Sequence, residues 1–445
     1  MNDISKEKKT LGVISLGCDK NRVDSEKLMA IAGDDFILTS DIEKAQIIVV
    51  NSCAFLESAR KEAINTVIEC NEYRKSGKLE KLIVTGCLPE RFIGELFDDL
   101  TEADGFLGTF DYDLFKDTVA ECYKGKRVNN VKKGERKLTT KRVVSTSPHF
   151  AYLKIADGCN NACAYCLIPS IRGRYVSEPM EKLVEEAESL GDVQELILVA
   201  QDATRYGIDL YRKKSLVPLI KKLTALENIG SVRLLYCYPD MIDNELIDEL
   251  SSNDKLIKYL DIPLQHASES ILKAMNRRGG EETYLKLINE LKTRVKGIAL
   301  RSTFIAGFPG ETEQDVEILK DFLKKAKFTN AGFFAYSREK GTPAYNFDGQ
   351  IPEKVKKARV KELYALQKTI SLENMSEYKG KTISVICDGI DYDKQCFYGR
   401  AYFQAPDIDG KVYFTANDGT VVNQGEKYDV KITKAKSYDL YGKIV

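Results

Sequence analysis

Three cysteines stand within eight residues in Cys159-Asn160-Asn161-Ala162-Cys163-Ala164-Tyr165-Cys166. Thiolates spaced Cx3Cx2C can wrap one face of a cubane and ligate three of its irons, leaving the fourth open. Soft thiolates select iron–sulfur or zinc, and a structural zinc takes four protein ligands. No fourth Cys or His lies nearby; His149, ten residues upstream of Cys159, would have to fold back to serve. Three further cysteines follow short apolar runs, as Leu16-Gly17-Cys18, Asn51-Ser52-Cys53 and Thr85-Gly86-Cys87. They are 35 and 34 residues apart, about the length of one βα unit. In a parallel sheet the carboxyl ends of the strands share one edge, where ligands of open α/β folds bind. Cys18, Cys53 and Cys87 are therefore expected to converge there. The plain alternative is three small hydrophobes buried near strand ends.

The elements that would position these residues follow from hydrophobic periodicity. Strands are expected at 11–16, 47–50 and 81–85, and helices at 21–32, 57–75 and 89–97, with Pro89 suited to a first helical turn. Such alternation predicts a parallel sheet covered by helices. From about 150 to 336 six further strands are expected, at 152–156, 195–200, 232–236, 259–262, 298–305 and 332–336. Amphipathic segments at 180–190, 216–226, 243–250, 284–294 and 313–325 separate them. Six βα repeats predict a partial or full α/β barrel whose chemistry sits at the carboxyl ends of its strands. A long helix at 352–378 leads out. Five β runs follow, at 383–387, 397–403, 412–415, 428–433 and 437–441, and fit a small OB-like barrel.

Composition narrows the function classes. The 445 residues carry 67 Lys+Arg and 67 Asp+Glu, so no global polycation is offered to nucleic acid. The apolar runs are far shorter than a membrane span, the start shows no secretory h-region and the end no lipidation motif, which together predict a soluble cytosolic protein. In a reducing compartment 11 cysteines point to metal or redox chemistry before disulfides. With two histidines and no tryptophan, a His-rich metal centre is poorly supplied. The stretch 124–142 holds nine Lys/Arg against Glu135 alone, a solvated flexible linker or a segment that touches RNA or the ribosome.

The Cx3Cx2C loop opening an α/β barrel resembles the radical S-adenosylmethionine (SAM) enzymes. By that resemblance the open iron chelates SAM, and one electron cleaves it to methionine and a 5′-deoxyadenosyl radical able to take hydrogen from an unactivated C–H bond. Tyr165 stands where that family places an aromatic residue beside the adenine. Gly307, in Ala306-Gly307-Phe308-Pro309-Gly310-Glu311-Thr312, is expected to let backbone approach SAM, unless the loop is a bland turn. Gln201 and Arg301 are candidates for the SAM amine and carboxylate, with an ordinary buried hydrogen bond or salt bridge as the alternative for each.

The Cys-tipped first domain, the barrel and the terminal β-barrel together resemble the methylthiotransferases over nearly the whole chain. The resemblance implies a second 4Fe–4S cluster on Cys18, Cys53 and Cys87, also with an open iron, and conversion of C–H to C–S–CH3 with SAM as both methyl donor and radical source. The stretches 15–26, 200–204 and 259–268 look like the RimO branch, whose substrate is an aspartate of small-subunit ribosomal protein S-twelve. Asp19 departs from the proline usual there and leaves Cys18 intact. The implied domains are 9–124 (methylthiotransferase α/β domain), 125–147 (basic linker), 148–376 (radical SAM partial (βα)6 barrel) and 377–445 (TRAM-like β-barrel). An electron donor such as flavodoxin or ferredoxin and a sulfur donor are implied as partners.

Over 381–445 the terminal barrel carries nine Lys/Arg and nine Asp/Glu. A groove that tracks phosphates should be basic, so neutrality favours a protein substrate over the alternative, a tRNA adenosine. Of its aromatics Tyr398, Tyr402, Phe403, Tyr413 and Phe414, most are expected in the barrel core. Cys70, Cys122, Cys237, Cys387 and Cys396 read as buried hydrophobes, with Cys237 the exception to watch because it follows a barrel strand. His266 also follows a strand, in a structural hydrogen bond or as a proton-transfer group. A non-catalytic iron–sulfur carrier would explain the cysteines but not six barrel repeats.

Overall fold

The computed structural model describes residues 8–132, 141–417 and 419–445. The extreme start, the middle of the basic run with Lys133, Glu135, Arg136 and Lys137, and Asp418 lie outside the described residues. The chain divides into two compact units.

The first unit comprises 1–145, 157–160 and 167–189. Its sheet is β1 (Lys9–Ser15), β2 (Phe36–Leu38), β3 (Ile47–Ser52), β4 (Lys81–Gly86), β5 (Gly105–Leu107) and β6 (Val128–Asn130), in the spatial order β2-β1-β3-β4-β5-β6. Every pairing is parallel. Helices α1 (Asp19–Ala32), α2 (Glu57–Asn71), α3 (Cys87–Asp99) and α4 (Phe115–Tyr123) cover it; α5 (Ile168–Arg172), which adds Ile171 to the apolar layer of α3, and α6 (Met180–Glu188) come from later in the chain and belong to the same unit. β3 is buried throughout, as a central strand covered on both faces must be. Successive residues face opposite layers: Ile48 and Val50 pack with Ala63, Val67 and Leu88, and Ile47 and Val49 with Leu28, Phe115 and Val119.

The three expected strands are thus the centre of a six-stranded sheet. β2, β5 and β6 are three residues long, too short to show periodicity. β6 lies inside the basic run, and the ends of that run are structural rather than solvated linker. Arg127 donates to the carbonyls of Phe97, Leu100 and Ala103. Arg142, with a side chain 1% exposed, pairs with Glu26 and Glu186.

The second unit comprises 146–156, 161–166 and 190–445. Strands β7 (Phe150–Lys154), β8 (Glu195–Val199), β9 (Val232–Leu234), β10 (Leu256–Asp261), β11 (Ala299–Ala306) and β12 (Asn330–Ala335) form an open parallel sheet in sequence order. This is the expected partial (βα)6 barrel. Helices α7 (Leu216–Thr224), α8 (Asn244–Ser252), α9 (Glu281–Arg294) and α10 (Glu313–Ala326) lie between the strands. Thr312 caps α10 through a reciprocal box with Asp315. The long α11 (Glu353–Ser376) leads to β13 (Thr382–Asp391), β14 (Cys396–Arg400), β15 (Val412–Thr415), β16 (Lys427–Ala435) and β17 (Leu440–Ile444), which close into a five-stranded barrel. β14 ends earlier than expected, because Phe403 turns in to stack on Tyr378 with ring centroids 4.5 Å apart. β17 begins later, after a turn in which the Lys436 N–H donates to the Asp439 carbonyl.

The terminal barrel is fastened to the open sheet by buried polar contacts. Glu195 pairs with Arg233 and Arg400, Arg400 also with Asp388, and Asp388 with His149. Among the described residues no helix is long and apolar enough to cross a membrane.

Candidate metal centres

β1, β3 and β4 are neighbours, with Ser15 level with Asn51 and Ser52 level with Gly86. The loops leaving their carboxyl ends therefore start from one rim. Cys18 stands just before α1, Cys53 directly after β3, and Cys87 opens α3. Glycine precedes two of them in the left-handed region, Gly17 at φ +91° and Gly86 at φ +92°. A Cβ on Gly17 would lie 2.6 Å from the Cβ of Cys53, and one on Gly86 2.3 Å from Oδ1 of Asn51. Only glycine allows both the turn and the approach.

Asn21, in the first turn of α1, ties the three loops together. Its Nδ2 donates to the carbonyls of Leu16 at 2.9 Å and Ser52 at 3.0 Å, the residues leading into Gly17-Cys18 and Cys53. Its Oδ1 lies 4.0 Å from the Cys87 thiol and accepts from Arg172. Cys18 is exposed and Cys87 buried. Burial pushes the Cys53 thiol up, and pushes Cys87 to about 12, aided by the other two thiols and opposed by Arg172. Such thiols hold their protons at neutral pH, and a soft metal that binds the thiolate displaces them. Three thiols on one rim beside a buried cation fit a thiolate-ligated cluster. Among the described residues no three His, Cys, Asp or Glu side chains gather as donors to one ion; cubane ligands bind separate irons, so their sulfurs stand farther apart than the donors to a single ion.

The second cysteine set is divided between the units. In the first unit, the Cys159 N–H donates to the Gly173 carbonyl, and Oδ1 of Asn160 accepts from the Tyr175 N–H. Gly158, at φ +74°, allows this packing, since a Cβ there would meet the Arg174 carbonyl oxygen at 2.2 Å. In the second unit, Asn161 donates to Asp202 at 3.0 Å and accepts from Arg205 at 2.9 Å, while Asn276 holds the Ala162 carbonyl at 2.8 Å. Ala164 exchanges backbone hydrogen bonds with Met275 and Ala344. Nη1 of Arg277 lies 3.8 Å from the Cys163 sulfur, and its guanidinium stacks 4.4 Å from the Tyr238 ring centre. Each cysteine set thus has a buried guanidinium beside one thiol.

Tyr165 is half-buried against Ala164, Ile271, Met275, Phe308, Tyr336 and Ala344. Gln201 is half-buried two residues past the end of β8, next to Asp202 in sequence. Gly307 follows β11 at φ +77°, but the space of its missing Cβ is taken by the Lys356 side chain and its N–H donates to Glu311 at 2.8 Å. Arg301 donates to Asp261 at 3.0 Å and lies 3.5 Å from Asp409 of the terminal barrel, the salt bridge that stood as its alternative. His266 is fully buried, its Nδ1 accepting from the Ser268 N–H and its Nε2 3.5 Å from Glu311. Cys237 is buried, and desolvation helped by Asp261 and Asp202 raises its thiol far above the ordinary range.

Cys70 and Cys122 pack in the two apolar layers of the first unit, Cys387 is buried, and Cys396 is half-buried. Phe403 and Phe414 are core. Tyr398, Tyr413 and Tyr441 instead form a row across three strands, with Lys411, Lys394 and Lys436 over their rings. Asn21, Arg172 and Arg277 are not marked out by sequence. The one local signal is at Asn21, three residues past a strand-end cysteine where a polar side chain can reach back into the turn.

Comparison with known proteins agrees with this architecture. Residues 153–323 match the radical SAM superfamily, 10–108 match a family described as Uncharacterized protein family UPF0004, and 380–445 match the TRAM domain. The chain is 46% identical to a protein of Lachnoclostridium phytofermentans named ribosomal protein uS12 methylthiotransferase RimO, over 96% of this chain and 98% of that one. It is 44% identical to a protein of the same name from Acetivibrio thermocellus, over 98% and 99%. TsrM of Kitasatospora setae, a radical SAM methyltransferase with cobalamin and a 4Fe–4S cluster bound, superimposes with TM-score 0.56 at 14% identity, over 85% of this chain and 77% of that one. OxsB, a cobalamin-dependent SAM radical enzyme, gives 0.52 at 10% identity, over 81% and 56%. These two likenesses are of fold. With near-full-length relatives this similar, the chain belongs to the RimO family of methylthiotransferases within the radical SAM superfamily, enzymes that work with 4Fe–4S clusters and SAM.

Proposed function

We propose that this chain replaces a β-carbon C–H of one aspartate in ribosomal protein uS12 by C–S–CH3. The observation that carries this reading is the gathering of Cys18, Cys53 and Cys87 on one strand rim, in addition to the Cx3Cx2C loop. Simple generation of a radical from SAM needs the loop alone. In this reading Cys159, Cys163 and Cys166 hold the SAM-binding cluster, and Cys18, Cys53 and Cys87 the auxiliary one. When bound, the clusters and SAM supply the one-electron cleavage and the sulfur chemistry that no acid or base side chain can perform at neutral pH.

The chain's own residues bind and orient. Asn161, clamped to Asp202 and Arg205, and Asn276 on the Ala162 carbonyl fix the course of the cysteine loop. Tyr165 is proposed beside the adenine, and Gln201 and Gly307 along the rest of SAM. Arg301, committed to Asp261 and Asp409, holds the wall of the sheet. The near-full-length relatives named for uS12 favour a protein over a tRNA substrate. The proposed setting is the cytoplasm, with a flavodoxin- or ferredoxin-like reductant and a separate sulfur donor.

The test is anaerobic reconstitution with iron and sulfide, reduction, and addition of SAM with either a uS12-derived peptide or unmodified tRNA. Mass spectrometry is expected to find one methylthio group in place of hydrogen on the peptide's aspartate. A gain on tRNA alone would replace the substrate, and absence of 5′-deoxyadenosine from a fully loaded sample would contradict the radical reading.

A further inference from the structure

Arg172 lies six residues past Cys166 in sequence, yet it is packed in the first unit at 3% exposure. Its Nη1 donates to Asp24 at 2.7 Å and Asp157 at 3.2 Å, and its Nη2 to Oδ1 of Asn21. The same Asn21 Oδ1 lies 4.0 Å from the Cys87 thiol, which puts the guanidinium one side-chain atom away from that sulfur. Because Asn21 in turn holds the carbonyls of Leu16 and Ser52, one buried cation is linked to all three cysteine loops of this unit.

The charge at this site needs an explanation. Asp24 and Asp157 are both 2% exposed, so Arg172 already faces two buried carboxylates. Three thiolates would add further negative charge in a region that water does not screen. Arginine cannot discharge by losing its proton. Its planar fork satisfies the carboxylates and, through Nη2, the Asn21 oxygen that faces Cys87, an arrangement a single ammonium point charge lacks the geometry to make.

We propose that Arg172 is a positioning residue for the auxiliary cluster: its fork orients Asn21 and the cysteine loops, and its fixed charge sets the electrostatic potential at the Cys87 corner. This rests on the assignment of Cys18, Cys53 and Cys87 as that cluster's ligands. Adding one electron to the cluster adds one negative charge, which the guanidinium stabilises and the Asp24 carboxylate opposes.

The test uses the full chain with Cys159, Cys163 and Cys166 replaced by Ala, so that only the auxiliary cluster is read. Iron is counted first, and the midpoint potential is then followed by electron paramagnetic resonance. Arg172→Gln is expected to shift the midpoint to more negative values by roughly 60 mV, a tenfold drop in the reduced fraction at fixed potential for one electron. Arg172→Lys keeps the charge and should restore most of that shift. Asp24→Asn should move it the opposite way, and it serves alone if Arg172→Gln does not fold. A loaded cluster whose midpoint is unmoved by Arg172→Gln, or by Asp24→Asn where that variant stands alone, overturns this inference. A parent chain that binds no iron overturns both it and the ligand assignment.

Discussion

The side chains that organise the site are more ordinary than the cysteines they serve. Asn21 is a neutral amide at the start of a helix, yet its two N–H groups satisfy the half-buried Leu16 carbonyl and the buried Ser52 carbonyl, next to Cys18 and Cys53. An unpaired buried acceptor costs about 1–3 kcal/mol. Asn21→Ala should therefore lower the melting temperature of the apoprotein and cut bound iron from about eight to about four per chain, with the Cys159 set still loaded. Iron analysis beside a melting curve checks this, and full iron loading of Asn21→Ala would contradict the role given to the amide. Arg172 is hidden for a related reason. In Arg172-Gly173-Arg174 it reads as one of several solvated cations, and only the folded chain shows that its head is among carboxylates and a thiol.

Elements decide which residues can meet. Gly86 must turn at φ +92° with the Asn51 side chain and the Ser52 carbonyl against its α-carbon. Gly86→Ala should destabilise the first unit by about 1–3 kcal/mol and displace Cys87, which denaturant titration and iron content together would register. The sheet carrying this turn is legible in the sequence where strands are long and buried, as in Ile47–Ser52 and Lys81–Gly86, and the even spacing of the cysteines at their ends is enough to put them on one rim. Phe36–Leu38, Gly105–Leu107 and Val128–Asn130 are not legible, since three residues carry no alternation to recognise. Nor does local sequence say which sheet a helix joins. Nothing in Ile168–Arg172 or Met180–Glu188 marks them as covering the first unit instead of the barrel they follow in the chain. Of the candidates for SAM, Gly307 directly follows the strand Ala299–Ala306 and Arg301 lies near that strand's start, and Lys356 and Asp409 claim part of each.

Across the second unit, stability depends on one buried carboxylate. Glu195 accepts from both Arg233 and Arg400 and so joins the open sheet to the terminal barrel. Burial alone would raise its pKa, but the two guanidiniums prevail and take it from 4.5 to about 2. A carboxyl depressed on folding contributes stability that is complete above its unfolded value and is lost as pH falls through the folded one. Acid sensitivity from this group should therefore fall between pH 4.5 and about 2, and Glu195→Gln should flatten it. At neutral pH that variant leaves the buried Arg233 without its carboxylate and Arg400 with Asp388 alone, a cost of about 3–5 kcal/mol, visible as a lower unfolding midpoint of this unit. At the largest scale, the proposed division of the reaction between the two cysteine sets is tested most directly by comparing Cys53→Ala with Cys163→Ala in the same SAM assay. Cys53→Ala should still yield 5′-deoxyadenosine while forming no methylthiolated uS12 peptide, and Cys163→Ala should yield neither. Methylthiolation by Cys53→Ala at the wild-type level would contradict the assignment of an auxiliary cluster on Cys18, Cys53 and Cys87 to the methylthiolation step.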